Sequence, residues 1–291
     1  MLKILLAFFF MTSMLSLSAI GPPLMPEFEE EETFFEKSEE EGFDWITNGT
    51  YELPYSHSSL TIPHDHMLLM GEEAKRFQAL YRGWEEDNIE AVLIDNTFEN
   101  VLYFSHFKEG YVVNDWSEID PDSLIEVIRE NIAKENEQRE EGDDDLYVKG
   151  WIQEPTLGRY SNSALWIINV LCEDGDDAVN AIVLKFGKEG HEKICSISPK
   201  ATYKPVGGTL DLVLRSYNYN QGFRYKDYSR GERQADYGMT ELIAATIGAE
   251  LIEEPVDQPI SGPLLIFKTY GGLIFLCFFI FLFKKNYLIK T

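Results

Sequence analysis

The chain has 291 residues, 50 acidic against 25 basic, and a formal net charge of -25 at pH 7. Such a length holds one globular domain of roughly 200 residues with extensions. Charge of this sign repels a phosphate backbone, so nucleic acid is excluded as a partner; metal cations, basic proteins or solubility alone fit it. The aromatic content of 13% favours strands.

Met1 to Ser18 carries Lys3, an apolar block from Ile4 to Phe10 that continues to Leu15, and small residues before Ala19. This is the layout of a secretory signal peptide cut near Ser18, the alternative being an uncleaved anchor helix. No Cys follows the block, so a lipidated N-terminus is not expected. Residues 19–44 change to Pro22-Pro23, Pro26 and the acidic run Glu27 to Glu41. Like charges at that density repel and bury little, which predicts a flexible leader, with Phe28, Phe34 and Phe35 as anchors if it is a recognition segment.

Residues 45–252 alternate between helical and strand periods. Helix formers from Gly71 to Leu80 place Ala74, Phe77, Leu80 and Tyr81 on one face. Ala91–Asp95, Val101–Phe107 and Tyr111–Val113 read as strands, with a turn at Lys108-Glu109-Gly110. Asp120-Pro121-Asp122 starts a helix that runs to about Glu140 and buries Leu124, Ile125, Ile128 and Ile132. Four strands follow, Leu146–Ile152, Ala164–Cys172, Ala178–Phe186 and Glu192–Ile197. The turns between them, Pro155–Asn162, Glu173–Asp177 and Gly187–Gly190, are too short for parallel crossovers, so the sheet is antiparallel. Thr209–Ser216 and Met239–Ala249 predict further helices, and Tyr217–Tyr228 an extended stretch. The fold class is α+β, an antiparallel sheet with a few packed helices.

Pro255, Pro259 and Gly262-Pro263 make residues 253–263 a stiff tether. Leu264–Phe283 is apolar except for Lys268, Thr269 and Tyr270, and twenty residues at about 1.5 Å each span roughly 30 Å of hydrocarbon. One C-terminal transmembrane helix is expected there. Lys284, Lys285 and Lys290 in the tail 284–291 place the C-terminus in the cytoplasm and the domain outside the cell (inner) membrane, in the periplasm. Lys268 sits one turn inside the outer end and has to extend to the interface.

The pieces Gly110-Tyr-Val-Val-Asn-Asp115, Ile119-Asp120, Asn136-Glu-Gln-Arg139, Gly150-Trp151, Glu154-Pro155, Arg159-Tyr160, Val179-Asn180, Gly187-Lys-Glu-Gly190, Gly222-Phe-Arg-Tyr225, Asp227-Tyr228 and Ala235-Asp-Tyr-Gly238 occur in this order. With them the stretch from about Gly71 to Glu250 resembles a bacterial family of membrane-anchored proteins catalogued as a domain of unknown function, DUF2167. The family pattern has an acidic residue where Ser161 stands and an Arg near Leu184, so no shared site is implied there. The resemblance implies a signal peptide, an extracytoplasmic domain and a C-terminal anchor, and it implies no reaction.

Cys172 and Cys195 share an exported domain, where a disulfide can form. In a simple meander, however, their strands flank a third, which sets the sulfurs too far apart for a bridge. Cys277 belongs to the membrane segment. His64-Asp65-His66, with His57 nearby, has metal-capable side chains, and two His at spacing two point to one side of a strand; a solvated loop is the competing reading. Asp143–Asp145 and Glu173–Asp177 offer oxygen ligands but no EF-hand, since Lys185 falls where a bidentate Glu is required. There is no Gly-x-Ser-x-Gly elbow, phosphate loop or His-Glu-x-x-His, and no cofactor is expected.

Tyr217, Tyr219, Phe223, Tyr225, Tyr228 and Tyr237 interleave with Arg224, Lys226, Arg230 and Arg233 in an acidic chain. Aromatics with Arg mark protein interfaces, and stacked rings suit cell-wall sugars, whereas the bland alternative has the Tyr rings filling the core. The expectation is an anchored extracytoplasmic interaction module, not an enzyme, that binds an envelope protein or cell-wall component. The alternative is an envelope hydrolase working through carboxylates, with or without a divalent cation.

Overall fold

The computed structural model describes residues 42–82, 86–116, 119–139, 145–158, 162–173, 175–252 and 266–269. The expected signal peptide, nearly all of the leader, the tether, the cytoplasmic tail and most of the membrane segment, Cys277 included, lie outside them.

The strands are β1 (Thr50–Leu53), β2 (Ser58–Thr61), β3 (His66–Met70), β4 (Ile89–Asp95), β5 (Val101–Phe107), β6 (Tyr111–Val113), β7 (Leu146–Gly158), β8 (Ser163–Cys172), β9 (Asp177–Phe186), β10 (His191–Pro199), β11 (Tyr217–Tyr219), β12 (Gln234–Gly238), β13 (Ala249–Ile252) and β14 (Ile266–Thr269). The helices are α1 (Glu72–Arg82), α2 (Pro121–Asn136), α3 (Thr209–Ser216) and α4 (Met239–Ile247). The middle layer is a seven-stranded antiparallel sheet in the order β3-β4-β5-β10-β9-β8-β7.

Its central strands are buried on both sides, which is why β4 and β10 read as nearly unbroken rather than alternating apolar runs. On one face Val92, Tyr103, Leu184 and Ile197 pack with α1, α2 and α4. On the other, Leu93, Phe104, Val183 and Ile194 meet Leu53 and Leu60 of the small sheet β1-β2-β11 and Leu210 and Val213 of α3. The α+β class with antiparallel sheets holds. Among the described residues only β6 and β12 pair in parallel.

Local chemistry sets the helix ends. Asp120 accepts the Asp122 N–H at 3.1 Å and starts α2, a cap whose loss costs about 1 kcal/mol. Gly238 precedes α4 without a side chain to cap it, and Asp115 supplies the carboxylate instead, its Oδ1 accepting the Thr240 N–H at 3.0 Å.

Several expectations are corrected. Leu80 is exposed rather than part of the buried α1 stripe, because Tyr81 takes the inward position. The expected turn from Pro155 is strand as far as Gly158, where β7 forms the sheet edge with several register irregularities against β8. Pro155 and those irregularities are what edge strands use to discourage further pairing. Ile266–Thr269, expected to open the membrane helix, is extended and pairs antiparallel with β13, placing Lys268 opposite Glu250. β-branched and aromatic residues around a lysine suit a strand better than the outer end of a bilayer helix. Among the described residues no helix is long and apolar enough to cross a membrane.

Candidate functional site

Three hairpin and loop segments converge at one end of the large sheet: 107–111, 187–191 and 219–234. The Gly110 N–H donates to Glu189 O at 2.9 Å, Lys188 N–H to Phe223 O at 2.9 Å, and Tyr111 N–H to Arg233 O at 3.0 Å. Side chains cannot fit at the crossings. A Cβ at Gly190 would stand 1.8 Å from Phe107 O, and one at Gly110, whose φ is +104, would stand 2.7 Å from the Gln234 backbone. Pieces that carry the family resemblance, from around Gly110, Gly187–Gly190 and Gly222–Tyr225 and so distant from one another in sequence, therefore meet in one place.

Most of the aromatic residues expected to form a binding surface are spent inside this cluster. Tyr217 is fully buried beside Phe104. The Tyr219 hydroxyl donates to Lys185 O at 2.8 Å, and Phe223 stacks on His57 at 4.0 Å. Tyr111 stacks with both Tyr225 and Tyr228, and the Tyr225 hydroxyl donates to Val112 O at 2.8 Å. Tyr237 packs half-buried against the helix-side core. Arg224 is clamped by Asp227 at 2.7 Å, an attachment that holds the Asp227 carboxyl down to about 2. These contacts stiffen the loop. Lys226, Arg230 and Arg233 remain exposed on it, with no carboxylate within ion-pairing distance among the described residues.

Beneath the loops, His191, Glu192 and Lys193 begin β10 and are all buried. Strand alternation sends Glu192 toward the small sheet, in register with His106 of β5 and Lys185 of β9. There its carboxyl meets that of Glu90, which comes from the irregular start of β4. Glu90 Oε2 accepts the backbone N–H groups of Tyr55 at 3.0 Å and Ser56 at 3.2 Å, tying down the turn between β1 and β2. His106 Nδ1 is 3.3 Å from Glu192 Oε2.

Burial pushes Glu192 well above the usual carboxylate range, and the neighbouring Glu90 raises it further. Burial also raises Glu90. Burial lowers His106 to about 4, helped by His57 and Lys108, and His191 to about 3, helped by His106 and Lys193. Both imidazoles are therefore neutral at pH 7. The pair itself is 1% and 0% exposed, closed to solvent by the small sheet.

The remaining candidates are not brought together. Asp65 has φ +60, so 64–66 is a turn into β3 and the two imidazoles do not share a strand face. His64 is exposed beside Asp65 at 2.7 Å. His66 is buried and uses both nitrogens, donating to His64 O at 2.7 Å and accepting from the Thr209 hydroxyl at 3.0 Å. Among the described residues no group of three His, Cys, Asp or Glu is placed to hold a metal. Cys172 and Cys195 are buried and not bridged. β9 separates their strands, and Cys172 lies six residues beyond the Trp166 that shares the Cys195 row, roughly 20 Å away.

The geometry defines an α+β protein with a buried acid–histidine cluster under a glycine-packed loop cover. The chain belongs to the family described as "Protein of unknown function (DUF2167)", whose model matches residues 46–252. It is also similar to the solution structure of cyanobacterial PsbP (CyanoP) from Synechocystis sp. PCC 6803, at 10% identity and TM-score 0.37, over 60% of this chain and 94% of that one. A crystal structure from Bacteroides thetaiotaomicron VPI-5482 is similar at 12% identity and TM-score 0.27, over 60% of this chain and 50% of that one. No curated protein matches the sequence.

Proposed function

We propose that the chain is a membrane-anchored extracytoplasmic interaction module that binds an anionic envelope protein or cell-wall component through the loop 220–234. The observation that carries this reading is the set of exposed cations, Lys226, Arg230 and Arg233, on a loop stiffened by ring stacking and glycine contacts in a chain of net charge -25. A rigid loop loses little entropy on binding, and positive charge set against a negative background orients an anionic partner. This moves recognition from the tyrosines to the basic residues beside them.

In this reading the signal peptide delivers the domain across the membrane and the C-terminal apolar run holds it there. With β14 part of the domain, the run left for the bilayer is 270–283, about 21 Å as a helix. It spans a roughly 30 Å core only if Lys284 and Lys285 extend their ammonium groups to the cytoplasmic surface. A reporter fused after Thr291 is expected to be active only in the cytoplasm.

Cross-linking in membranes followed by mass spectrometry tests the binding reading. A partner recovered with wild type should be lost with Lys226→Ala, Arg230→Ala and Arg233→Ala combined, and lost progressively with salt. Unchanged recovery overturns the choice of surface. The pair Glu90 and Glu192 is what favours the second reading, a carboxylate hydrolase. Closed as it is, it meets no substrate until the small sheet moves. A cell-wall-cleaving activity abolished by Glu192→Gln and kept by the basic-loop variant would transfer the assignment to that reading.

A further inference from the structure

We infer that Glu90 and Glu192 share a single proton, and that this proton latches the small sheet β1-β2-β11 onto the seven-stranded sheet so that the domain loosens as pH rises. As carboxylates, both oxygens of Glu192 and Oε1 of Glu90 are buried acceptors that find no donor among the described residues. Two carboxylates in contact cannot hydrogen-bond; one proton placed between them makes a short donor–acceptor pair and removes one of the two buried charges. The alternative, two ionised carboxyls in a closed interior, costs several kcal/mol.

The other groups facing the pair do not neutralise it. His106 on β5 is neutral by burial. Lys185 on β9 directs its ammonium over the Tyr217 ring at 5.7 Å, and burial lowers its pKa. Tyr217 and Tyr219 on β11 are both raised well above 10, first by burial, with Glu192 adding to each. His57 on the β1–β2 turn and the loop groups Lys108 and Glu189 act on His106 rather than on the carboxyls. Lys193, on the opposite face, pulls Glu192 down, and it is outweighed by burial and by Glu90.

The latch follows from what the pair holds. Glu90 Oε2 carries the two N–H groups of the β1–β2 turn, and Glu192 faces the hydroxyls of β11, so the charge created on losing the proton appears directly beneath the small sheet. In the sheet-open state both carboxyls return to ordinary values near 4.5. Opening therefore becomes easier by about tenfold per pH unit from there up to the point where the closed pair titrates. Below about pH 6.5 the buried His106 on this face acts in the opposite sense and masks the effect, and near pH 10 tyrosine ionisation sets in. The window that isolates the pair is roughly pH 7 to 9.

Hydrogen exchange on the full-length protein in detergent reads the latch, with rates corrected for intrinsic pH dependence. Protection of Ser58–Thr61 and Tyr217–Tyr219 in wild type should fall about tenfold per pH unit across that window while β9 stays constant, and Glu192→Gln or Glu90→Gln should flatten the slope. Equal slopes in wild type and both Gln variants overturn the inference. Should neither variant fold, the infrared carbonyl stretch of a protonated carboxylic acid is measured in Glu109→Gln protein, which lacks the other burial-raised carboxyl near this end of the sheet. Its presence at pH 7 and loss on alkalinisation support the shared proton; its absence at pH 7 overturns it.

Discussion

The two faces of β10 solve the same problem in opposite ways. Toward the helices, Lys193 Nζ lies 3.8 Å from Glu86 Oε2, which also receives the Ser105 hydroxyl at 3.0 Å. His191 stacks parallel on Phe107 with Nδ1 3.8 Å from Glu109 Oε2. At Lys193 and Glu86 opposite charges compensate each other, while His191, neutral like His106, lies against an aromatic ring. Toward the small sheet, one residue along the same strand, Glu192 meets another carboxyl and a neutral imidazole. Compensation on that side has to come from a proton. A buried charge needs a partner of opposite sign or it changes protonation state; the strand's twofold alternation puts both outcomes side by side.

The comparison depends on register, so the largest effect is expected from Gly190→Ala. Its Cβ would meet backbone, not a side chain that can swing away. Opening the turn allows β10 to slip, and a slip of one residue exchanges the two faces. A loss of more than about 4 kcal/mol, or failure to fold, is expected in urea titrations. Next comes acid. Because folding lowers His106 to about 4 and His191 to about 3, their contribution is complete above the ordinary histidine value of 6.5 and is lost as pH falls through those values. For His106 alone this is on the order of 3 kcal/mol, so His106→Phe should flatten the acid limb of a stability-against-pH curve.

Removing a charge should then have opposite signs on the two faces. Lys193→Ala leaves the largely buried Glu86 without its cation and should cost about 3 kcal/mol. Glu192→Gln at pH 8 replaces a protonated acid by an amide of the same shape and should be neutral or stabilising by about 1 kcal/mol. Measuring both by chemical denaturation at pH 8 separates them; equal losses would mean that Glu192 depends on a cation as the Lys193-paired Glu86 does.

Much of this framework was legible beforehand. The long strands β5 and β8–β10, the capped start of α2 and the α+β class follow from alternation, turn spacing and Asp120-Pro121. The small sheet was not. β1 and β2 are four residues each, too short for a period to register, and the sheet is completed by β11, which pairs with β2 from about 160 residues away. The buried pair was hidden for a related reason: among 50 acidic residues, Glu90 and Glu192 become neighbours only through the strand order β4-β5-β10. His191-Glu192-Lys193 at the start of an apolar strand was the available signal, three titratable residues where a strand was about to be buried. The separation of the two cysteines is readable from meander topology alone, whereas alternation in the tyrosine segment leaves open which rings a loop turns inward.

The smallest expected effect bears on the cover over these faces. Arg230→Ala and Arg233→Ala remove exposed cations that hold no ion pair among the described residues, so each should change stability by less than about 0.5 kcal/mol. Arg224→Ala differs although it lies on the same loop. Its guanidinium binds both oxygens of Asp227, whose Oδ2 also accepts the Gly222 and Arg224 N–H groups. Removing it frees a carboxylate that still has backbone donors, so the loop should loosen without unfolding. Faster exchange at Gly222 and Arg224 with little change in global stability is the expected result. Partner recovery should fall for both kinds of variant but by different routes, through lost charge at Arg230 and Arg233 and through lost order at Arg224. Only the first should disappear in high salt, because screening acts on exposed charge and not on the shape of a loop.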